Sequence, residues 1–307
     1  MTDIAIETRS LTKAFSATVI AADNLSLSVP RGAVYGLIGR NGAGKTTALR
    51  MVMGLLRPDW GKARVLGASL WQAPASLRAK IAYVPQAQQL HGWMAAEDLC
   101  QYLSFFYPTW DPAYARQLAR RWEVRWDQPV GSMSGGEQRK VSALLAFAAR
   151  PEVMILDEPA ANLDPIARRQ FVDGIVEALS SSDNCTVLLS THILSDLERV
   201  ADHVGIMERG RLLTQRPLEE FQSTVKRVQV IFEGQTAPPG FAIPGAVRSE
   251  TAGPVVTAVV NLADDRQLDE VRRIPGVRVN VFDMGLEQAF IDLLSPDTAQ
   301  GPVEVSP

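Results

Sequence analysis

The chain has 307 residues, more than one average domain, so one large domain with a smaller companion is the first expectation. Apolar residues make up 46% and charged residues 21%, the balance of a chain that fills a core and not of a disordered one. With 31 basic against 34 acidic side chains the formal charge is -3, so no basic excess points to nucleic acid; the two cysteines, Cys100 and Cys185, form no paired motif of a disulfide framework or a zinc site.

The opening stretch, Met1-Thr-Asp-Ile-Ala-Ile-Glu7, carries acids where a secretion signal carries Lys or Arg, and no apolar run follows. The most apolar segments, such as Val141 to Ala149, fall short of the roughly 20 residues that span a bilayer. The chain is expected to be soluble by itself, and a membrane task would need another polypeptide.

Residues 4–9 and the alternating Leu25-Ser-Leu-Ser-Val29 predict strands of a half-exposed antiparallel sheet. Val34-Tyr-Gly-Leu-Ile38 is a short apolar run ending in a glycine-rich turn, and Lys45 to Met53 follows with Leu49, Val52 and Met53 at helical spacing. From about Ala95 to Arg125 the pattern is helical and crowded with aromatics, among them Trp93, Tyr102, Phe105, Phe106, Tyr114 and Trp122. Val153 to Leu156 and Thr186 to Ser190 are apolar runs separated by a helical Pro165 to Leu179, which predicts parallel strands buried on both faces. After about Thr224 the character changes. Val228 to Phe232, Val255 to Val260 and Val277 to Phe282 predict strands, Asp264 to Arg273 and Leu286 to Leu294 helices, and the end from Ser295 a frayed tail.

Gly39-Arg-Asn41-Gly42-Ala43-Gly44-Lys45-Thr46 fits the phosphate-loop pattern G-x-x-x-x-G-K-[ST], and Thr47 follows it. Small residues let backbone N–H groups approach phosphate oxygens, and the helix N-terminus adds positive dipole. Lys45 would reach the β- and γ-phosphates, and the Thr46 hydroxyl would hold Mg²⁺. Val153-Met-Ile-Leu-Asp157-Glu158 is a buried strand opening into two acids, at the end of an open sheet where ligands gather. Asp157 would bind Mg²⁺ and Glu158 would serve as general base toward the attacking water. Ordinary solvated acids at a strand end would look the same without the phosphate loop. Together the two motifs indicate a phosphate-loop NTPase, a description that kinases, GTPases and helicases also meet.

Ser134-Gly135-Gly136-Glu137 lies between these motifs, ahead of an Ala- and Leu-rich helix. A serine and two glycines at a helix N-terminus make a second anion cradle; the same residues also read as a plain capping box. In this position Met133-Ser-Gly-Gly-Glu137 resembles the signature of ABC ATPases, and the rest of that family's pattern follows in order. Tyr83-Val-Pro-Gln86 is similar to the Q-loop, whose glutamine senses the γ-phosphate and Mg²⁺; Ala161 to Asp164 is similar to the D-loop, and Ser190-Thr-His192 to the switch histidine. Phe15 sits where the family places a ring that stacks on adenine. The resemblance covers roughly residues 2–220, with two departures. Glu137 stands where a neutral Gln is usual, placing an extra negative charge near nucleotide, and Ala161 stands where Ser is common.

The resemblance implies an α/β fold: a phosphate-loop NTPase core with an antiparallel β subdomain and a helical subdomain at about residues 88–150. The nucleotide-binding domain would run over 1–223, a small α+β appendage over 224–295 and a flexible tail over 296–307. It further implies ATP and Mg²⁺ as cofactors, with Thr46, Gln86 and Asp157 at the metal and Lys45, Gln86, Glu158 and His192 in hydrolysis. Two cassettes would pack head to tail, each ATP lying between one chain's phosphate loop and the other chain's Ser134–Gly136. The partners implied are a second ABC ATPase subunit and a multi-span membrane permease, with no nucleic acid, at the cytoplasmic face of the membrane. Tyr107-Pro-Thr-Trp-Asp111 and Gly285-Leu-Glu-Gln-Ala-Phe290 are similar to segments of ABC-2-type export ATPases, which turns the expectation toward export. The rival is a soluble ABC ATPase acting on DNA or ribosomes; such proteins carry coiled coils, zinc cysteines or paired cassettes that this sequence lacks. A third reading, a module that binds ATP without turning it over, is at odds with intact Glu158 and His192. For the aromatic stretch two roles stay open, core of the helical subdomain or groove for a membrane-subunit helix. For the appendage they are regulation, dimer contact or a stabilising cap.

Overall fold

The structure, a computed structural model, describes residues 3–87, 90–161, 163–181, 185–262 and 265–294. The chain opens on strands β1 (Ile4–Ala14), β2 (Ile20–Leu25), β3 (Ser28–Pro30) and β4 (Val34–Ile38), then the glycine turn and helix α1 (Lys45–Val52). Strand β5 (Trp60–Val65), the short helix α2 (Ala75–Arg78) and strand β6 (Ile81–Val84) follow. Helices α3 (Ala96–Ser104), α4 (Pro112–Arg121) and α5 (Gly135–Ala148) precede β7 (Val153–Asp157), α6 (Pro165–Ser181) and β8 (Thr186–Thr191). Helix α7 (Leu194–Leu197) and strands β9 (His203–Glu208) and β10 (Arg211–Pro217) close the first of two compact units, which divide between Arg216 and Pro217.

The unbroken apolar runs behave as their composition requires. Strands β4, β7 and β8 are buried along their whole length, in a six-stranded sheet of order β10-β9-β4-β8-β7-β6. Its neighbours β9-β4-β8-β7-β6 run parallel. Register sets the strand ends level: Ile38 pairs with Thr191 and Asp157 with Ser190. The glycine turn, the two acids and His192 therefore emerge together from the carboxyl end of the sheet, where open α/β sheets bind ligands.

Beside this core, β1 pairs antiparallel with β2, β3 and β5. Strand β1 runs on beyond the expected residue 9, through Ser10 at φ 50° and a register shift between Arg9 and Thr12. That irregularity breaks the apolar alternation on which the expectation relied. The run expected as one strand at Leu25–Val29 is divided between the end of β2 and β3, and at the break the Thr8 hydroxyl donates to the Leu25 carbonyl at 3.0 Å and accepts from Leu27 N at 2.8 Å.

The helical stretch breaks between α3 and α4 at Tyr107-Pro-Thr-Trp-Asp111, and this segment is bonded on every side. Tyr107 Oη donates to the Ile81 carbonyl at 3.2 Å and Thr109 Oγ1 to the Ala149 carbonyl at 2.6 Å. Asp111 Oδ1 caps α4 by accepting from Tyr114 N at 2.9 Å, and Oδ2 lies 3.2 Å from Arg150 Nη2. Pro112 takes the first helical position, where its missing N–H costs nothing. The aromatics divide into two sets. Trp122, 2% exposed, packs edge-on against Phe147, which meets Phe171, and these rings join α4, α5 and α6. Trp93 and Phe105, at 78% and 80% exposure, face solvent together with Tyr102 and Phe106.

The second unit begins before the expected boundary, with helix α8 (Leu218–Thr224). Strands β11 (Val225–Phe232), β12 (Ala246–Ala252) and β13 (Val255–Asn261), helix α9 (Asp269–Arg272), strand β14 (Val277–Asp283) and helix α10 (Leu286–Leu294) follow. They form an antiparallel sheet of order β12-β13-β11-β14 over a core that includes Val228, Val230, Phe232, Val256 and Leu268. Strand β12 went unpredicted because it is an edge strand whose Ser249, Glu250 and Thr251 are exposed, with no apolar period to read. Asp264 and the expected tail from Ser295 lie outside the described residues.

Loss of the α4 cap by Asp111→Ala is expected to cost about 1 kcal/mol of stability. The partly exposed pair with Arg150 adds at most a few tenths after solvent screening. Asp111→Asn, which keeps the capping oxygen, should lose less in urea or thermal unfolding; equal losses in both variants would contradict this account of the segment.

Candidate active site

Between β4 and α1 the chain makes a turn that only glycine can follow at its tightest points. Gly44 has φ 103°, and a Cβ there would stand 1.9 Å from the Ala21 carbonyl oxygen; at Gly39 it would stand 2.4 Å from the Met207 carbonyl oxygen. The turn is thus wedged between β2 and β9, with Asn41 and Gly42 exposed and Ala43 buried at its crest. Helix α1 begins directly at Lys45 with no side chain capping its first N–H groups and no acid in its first turn. The buried Lys45 ammonium folds back across the turn and donates to the Gly39 carbonyl at 2.6 Å.

The two acids meet this turn from β7. Asp157 is fully buried; its Oδ1 accepts from Ser190 Oγ at 2.7 Å and lies 3.1 Å from Thr46 Oγ1, which is itself 3.4 Å from Gln86 Oε1. Oδ2 is buried with no hydrogen-bond partner among the described residues. Burial pushes the Asp157 pKa up, against the bonds from Ser190 and Thr46 that pull it down. Glu158, 4% exposed, sits between opposite groups: Oε1 is 3.2 Å from Lys45 Nζ, and Oε2 is 2.7 Å from Nδ1 of the half-exposed His192. Its backbone takes φ 48°, a region a glutamate rarely enters, and is held there as its N–H reaches Ser190 O at 3.0 Å and Ser190 Oγ at 3.1 Å.

The Ser134–Glu137 segment stands apart, and its own bonds are local. Ser134 Oγ accepts from Glu137 N at 3.3 Å, while Ser134 N donates to Glu137 Oε2 at 2.8 Å, a closed capping box at the start of α5. The negative charge expected beside nucleotide at Glu137 is matched by Arg125, whose Nε lies 2.9 Å from Oε1. The Ser134 backbone N–H, then the Ser134 hydroxyl and Arg125, hold the Glu137 carboxyl below its ordinary pKa. Ser134 and Gly135 are exposed, with open space around Gly135. Asp164 uses Oδ1 to accept from Ile166 N and Ala167 N, each at 2.9 Å, at the start of α6. Asn162, within the same expected loop, lies outside the described residues. Phe15 is exposed beyond the end of β1, with Lys13 Nζ 6.0 Å from its ring centre. Thr47, inside α1, is partly buried.

Three residues were missed. Ser190 anchors both acids, and Arg125 neutralises Glu137. Arg139 reaches from α5 to the backbone of Gln86, Glu158 and Ala161. For Arg139 the one cue was its place just ahead of the apolar run from Val141, a place that the partly buried Lys140 shares.

A profile of the family described as "ABC transporter" matches residues 22–161. The daunorubicin/doxorubicin resistance ATP-binding protein DrrA of Streptomyces peucetius is 35% identical over 229 residues, 72% of this chain and 68% of that protein. The chain belongs to the ATP-binding subunits of ABC transporters. The ABC transporter ATP-binding protein YtrB of Bacillus subtilis is 28% identical over 292 residues, 93% of this chain and 97% of that protein, a span that includes most of the second unit. A solved ATP-binding subunit of an ABC transporter superimposes with a TM-score of 0.64 at 29% identity, covering 71% of this chain and 92% of the other. As a member of this family the chain is an ATPase whose hydrolysis is coupled to transport, and the rival reading on DNA or ribosomes is set aside. Among the described residues no helix is long and apolar enough to cross a membrane.

Because its folded-state pKa is raised, ionised Asp157 opposes folding at neutral pH, and that penalty fades as pH falls through the raised value. Asp157→Asn is therefore expected to raise the melting temperature by about 2–4 °C per kcal/mol relieved, in thermal unfolding without nucleotide, while hydrolysis is lost. A melting temperature below wild type would contradict the strain assigned to this carboxylate.

Proposed function

We propose that the chain is the motor of an ABC exporter, working as a pair of cassettes under a multi-span membrane subunit at the cytoplasmic face of the membrane. The observation that carries the hydrolytic part is the buried Glu158 carboxylate, bracketed by Lys45 and His192 at the mouth of the glycine turn. Lys45 presents its ammonium where the triphosphate oxygens would sit, and the N–H groups of residues 39–47 add donors around them. Glu158 takes a proton from the attacking water on its carboxylate, while His192, bonded to Oε2, fixes that carboxylate's orientation. The Phe15 ring, exposed just beyond the end of β1, offers a face for adenine.

The residues present fit a magnesium ion. Thr46, Asp157 and Gln86 offer hard oxygen donors, and the partnerless buried Oδ2 of Asp157 is the kind of atom a cation satisfies. Held by these three side chains, the ion would neutralise charge on the β- and γ-phosphate oxygens.

Pairing of two cassettes is supported by the exposed, self-capped start of α5, where Gly135 has open space around it for an outside anion. The Ser134–Gly136 cradle of a second copy would close over ATP bound at the first copy's glycine turn; Glu137, tied to Arg125, shapes that cradle instead of touching phosphate. Asp164 acts through the start of α6 that it caps. The exposed rings of Trp93, Tyr102, Phe105 and Phe106 supply an apolar face for a cytoplasmic helix of the membrane subunit. Export as the direction rests on the likeness to a drug-resistance ATPase and on the Tyr107–Asp111 and Gly285–Phe290 segments.

Glu158→Gln is expected to bind ATP normally and to turn it over about 10²–10⁴ times more slowly. A wild-type rate in that variant would refute the base assignment. Lys45→Ala should weaken nucleotide binding by about tenfold or more, the worth of a charge-assisted bond of about 1.5–3 kcal/mol. Unchanged affinity in equilibrium titration would remove Lys45 from the site. Recovery of the chain with DNA or ribosomes, and without a membrane protein, would overturn the exporter reading.

A further inference from the structure

Helix α5 begins with the Ser134–Gly136 cradle and, just over one turn on, sends a single side chain back into the hydrolytic site of its own chain. Arg139 is buried. Its Nη1 donates to the Glu158 carbonyl at 2.9 Å and to the Ala161 carbonyl at 2.6 Å, and its Nη2 donates to the Gln86 carbonyl at 2.8 Å. These three acceptors belong to the loop after β6, the residue after β7 and the turn that follows it. A planar, five-donor guanidinium suits such a convergence and a lysine ammonium does not. Among the described residues no ion pair with a carboxylate is found for Arg139, so carbonyl dipoles carry its bonding.

We propose that Arg139 is a positioning residue: it pins the backbone of Glu158 and Gln86 to the signature helix, so that the aim of the hydrolytic carboxylate follows where α5 sits. The Glu158 peptide environment gives this its force. At φ 48° the residue holds a conformation it would leave if released, and it is gripped from two sides. Its N–H is held by Ser190 of β8, and its carbonyl by Arg139 of α5. Displacement of α5 relative to the sheet would therefore pull on one side of Glu158 and on Gln86 at once. Because α5 opens with the cradle that a second cassette's ATP would occupy, docking there would set the base in the same chain. Stability alone is a weak reason to keep this arginine, since its burial opposes folding and the nearby Glu158 charge offsets that only in part.

This inference rests on Glu158 being the base, and the test separates the two. Full-length wild type, Glu158→Gln, Arg139→Gln and Arg139→Lys are assayed for ATP hydrolysis and for equilibrium nucleotide binding, well below their melting temperatures. Both Arg139 variants are expected to lose about 10²-fold in kcat, the scale of a misplacement of about 1 Å, with KM for ATP and nucleotide affinity unchanged. Arg139→Lys keeps the charge and most of the volume, so it carries the test if Arg139→Gln does not fold. A folded Arg139 variant with wild-type kcat, or one whose deficit lies wholly in KM, would overturn the positioning role. So would recovery of wild-type kcat in Arg139→Lys, which lacks the fork. If Glu158→Gln is inactive while the Arg139 variants are fully active, only this inference falls; if Glu158→Gln hydrolyses ATP at the wild-type rate, the base reading falls first.

Discussion

Two carboxylates, Asp157 and Glu158, stand side by side at the end of a strand that is buried on both faces, and neither has real access to water. Burying a charge costs several kcal/mol unless bonds and opposite charges offset it. The arrangement of the first unit follows from meeting that cost. Strand β8 lies between β4 and β7 and brings Ser190 against Asp157, and the glycine turn after β4 lets Lys45 fold back onto Glu158. His192 closes the remaining side from the end of β8, and Arg139 holds the backbone from outside the sheet. Two of the carboxylate oxygens have no hydrogen bond among the described residues, and while Glu158 Oε1 faces the Lys45 ammonium at 3.2 Å, Asp157 Oδ2 has neither a bond nor an ion pair. A site that is stable only in part without its ligand is built to gain from binding it.

The second constraint is geometric. The glycine turn and the uncapped start of α1 would offer donors to a phosphate from one side, and the other glycine-containing segment, Ser134–Gly136, closes a capping box on itself with Ser134 and Gly135 exposed. A triphosphate held from one side keeps much of its charge unneutralised, so a second set of donors from another copy is the economical completion. In this view ATP is a structural element of the interface, and loss of the γ-phosphate removes the bonds that join the copies. The change in affinity between states, a few charge-assisted bonds of about 1.5–3 kcal/mol each, is enough to move an open–closed equilibrium by orders of magnitude.

Much of this was legible in the residues. Motifs whose atoms lie close along the chain could be read directly, as could the buried parallel strands, because unbroken apolar runs have a single physical explanation in a sheet of this kind. Pairings that bring distant parts of the chain together could not be read. Arg139 to Gln86 spans 53 positions and Arg125 to Glu137 links two separate segments, and neither leaves a local pattern. The departure at Glu137 looked like a stray charge only because its cation was invisible in one dimension. Local irregularity hid other features: the bulge at Ser10 broke a period, and β12 had no period to break. The aromatic stretch could not be sorted in advance, since core rings such as Trp122 and exposed rings such as Phe105 share one composition and differ only in burial.

The claim on which the account depends is that one triphosphate is gripped by two glycine-lined cradles from two chains. Sedimentation of hydrolysis-blocked Glu158→Gln, with and without ATP, tests it most directly. The account predicts a monomer without nucleotide that converts to twice the mass at saturating ATP, and a Ser134→Arg change on that background that prevents the conversion while each chain still binds ATP. A chain that stays monomeric at saturating ATP, or that pairs equally well without it, would contradict the shared site.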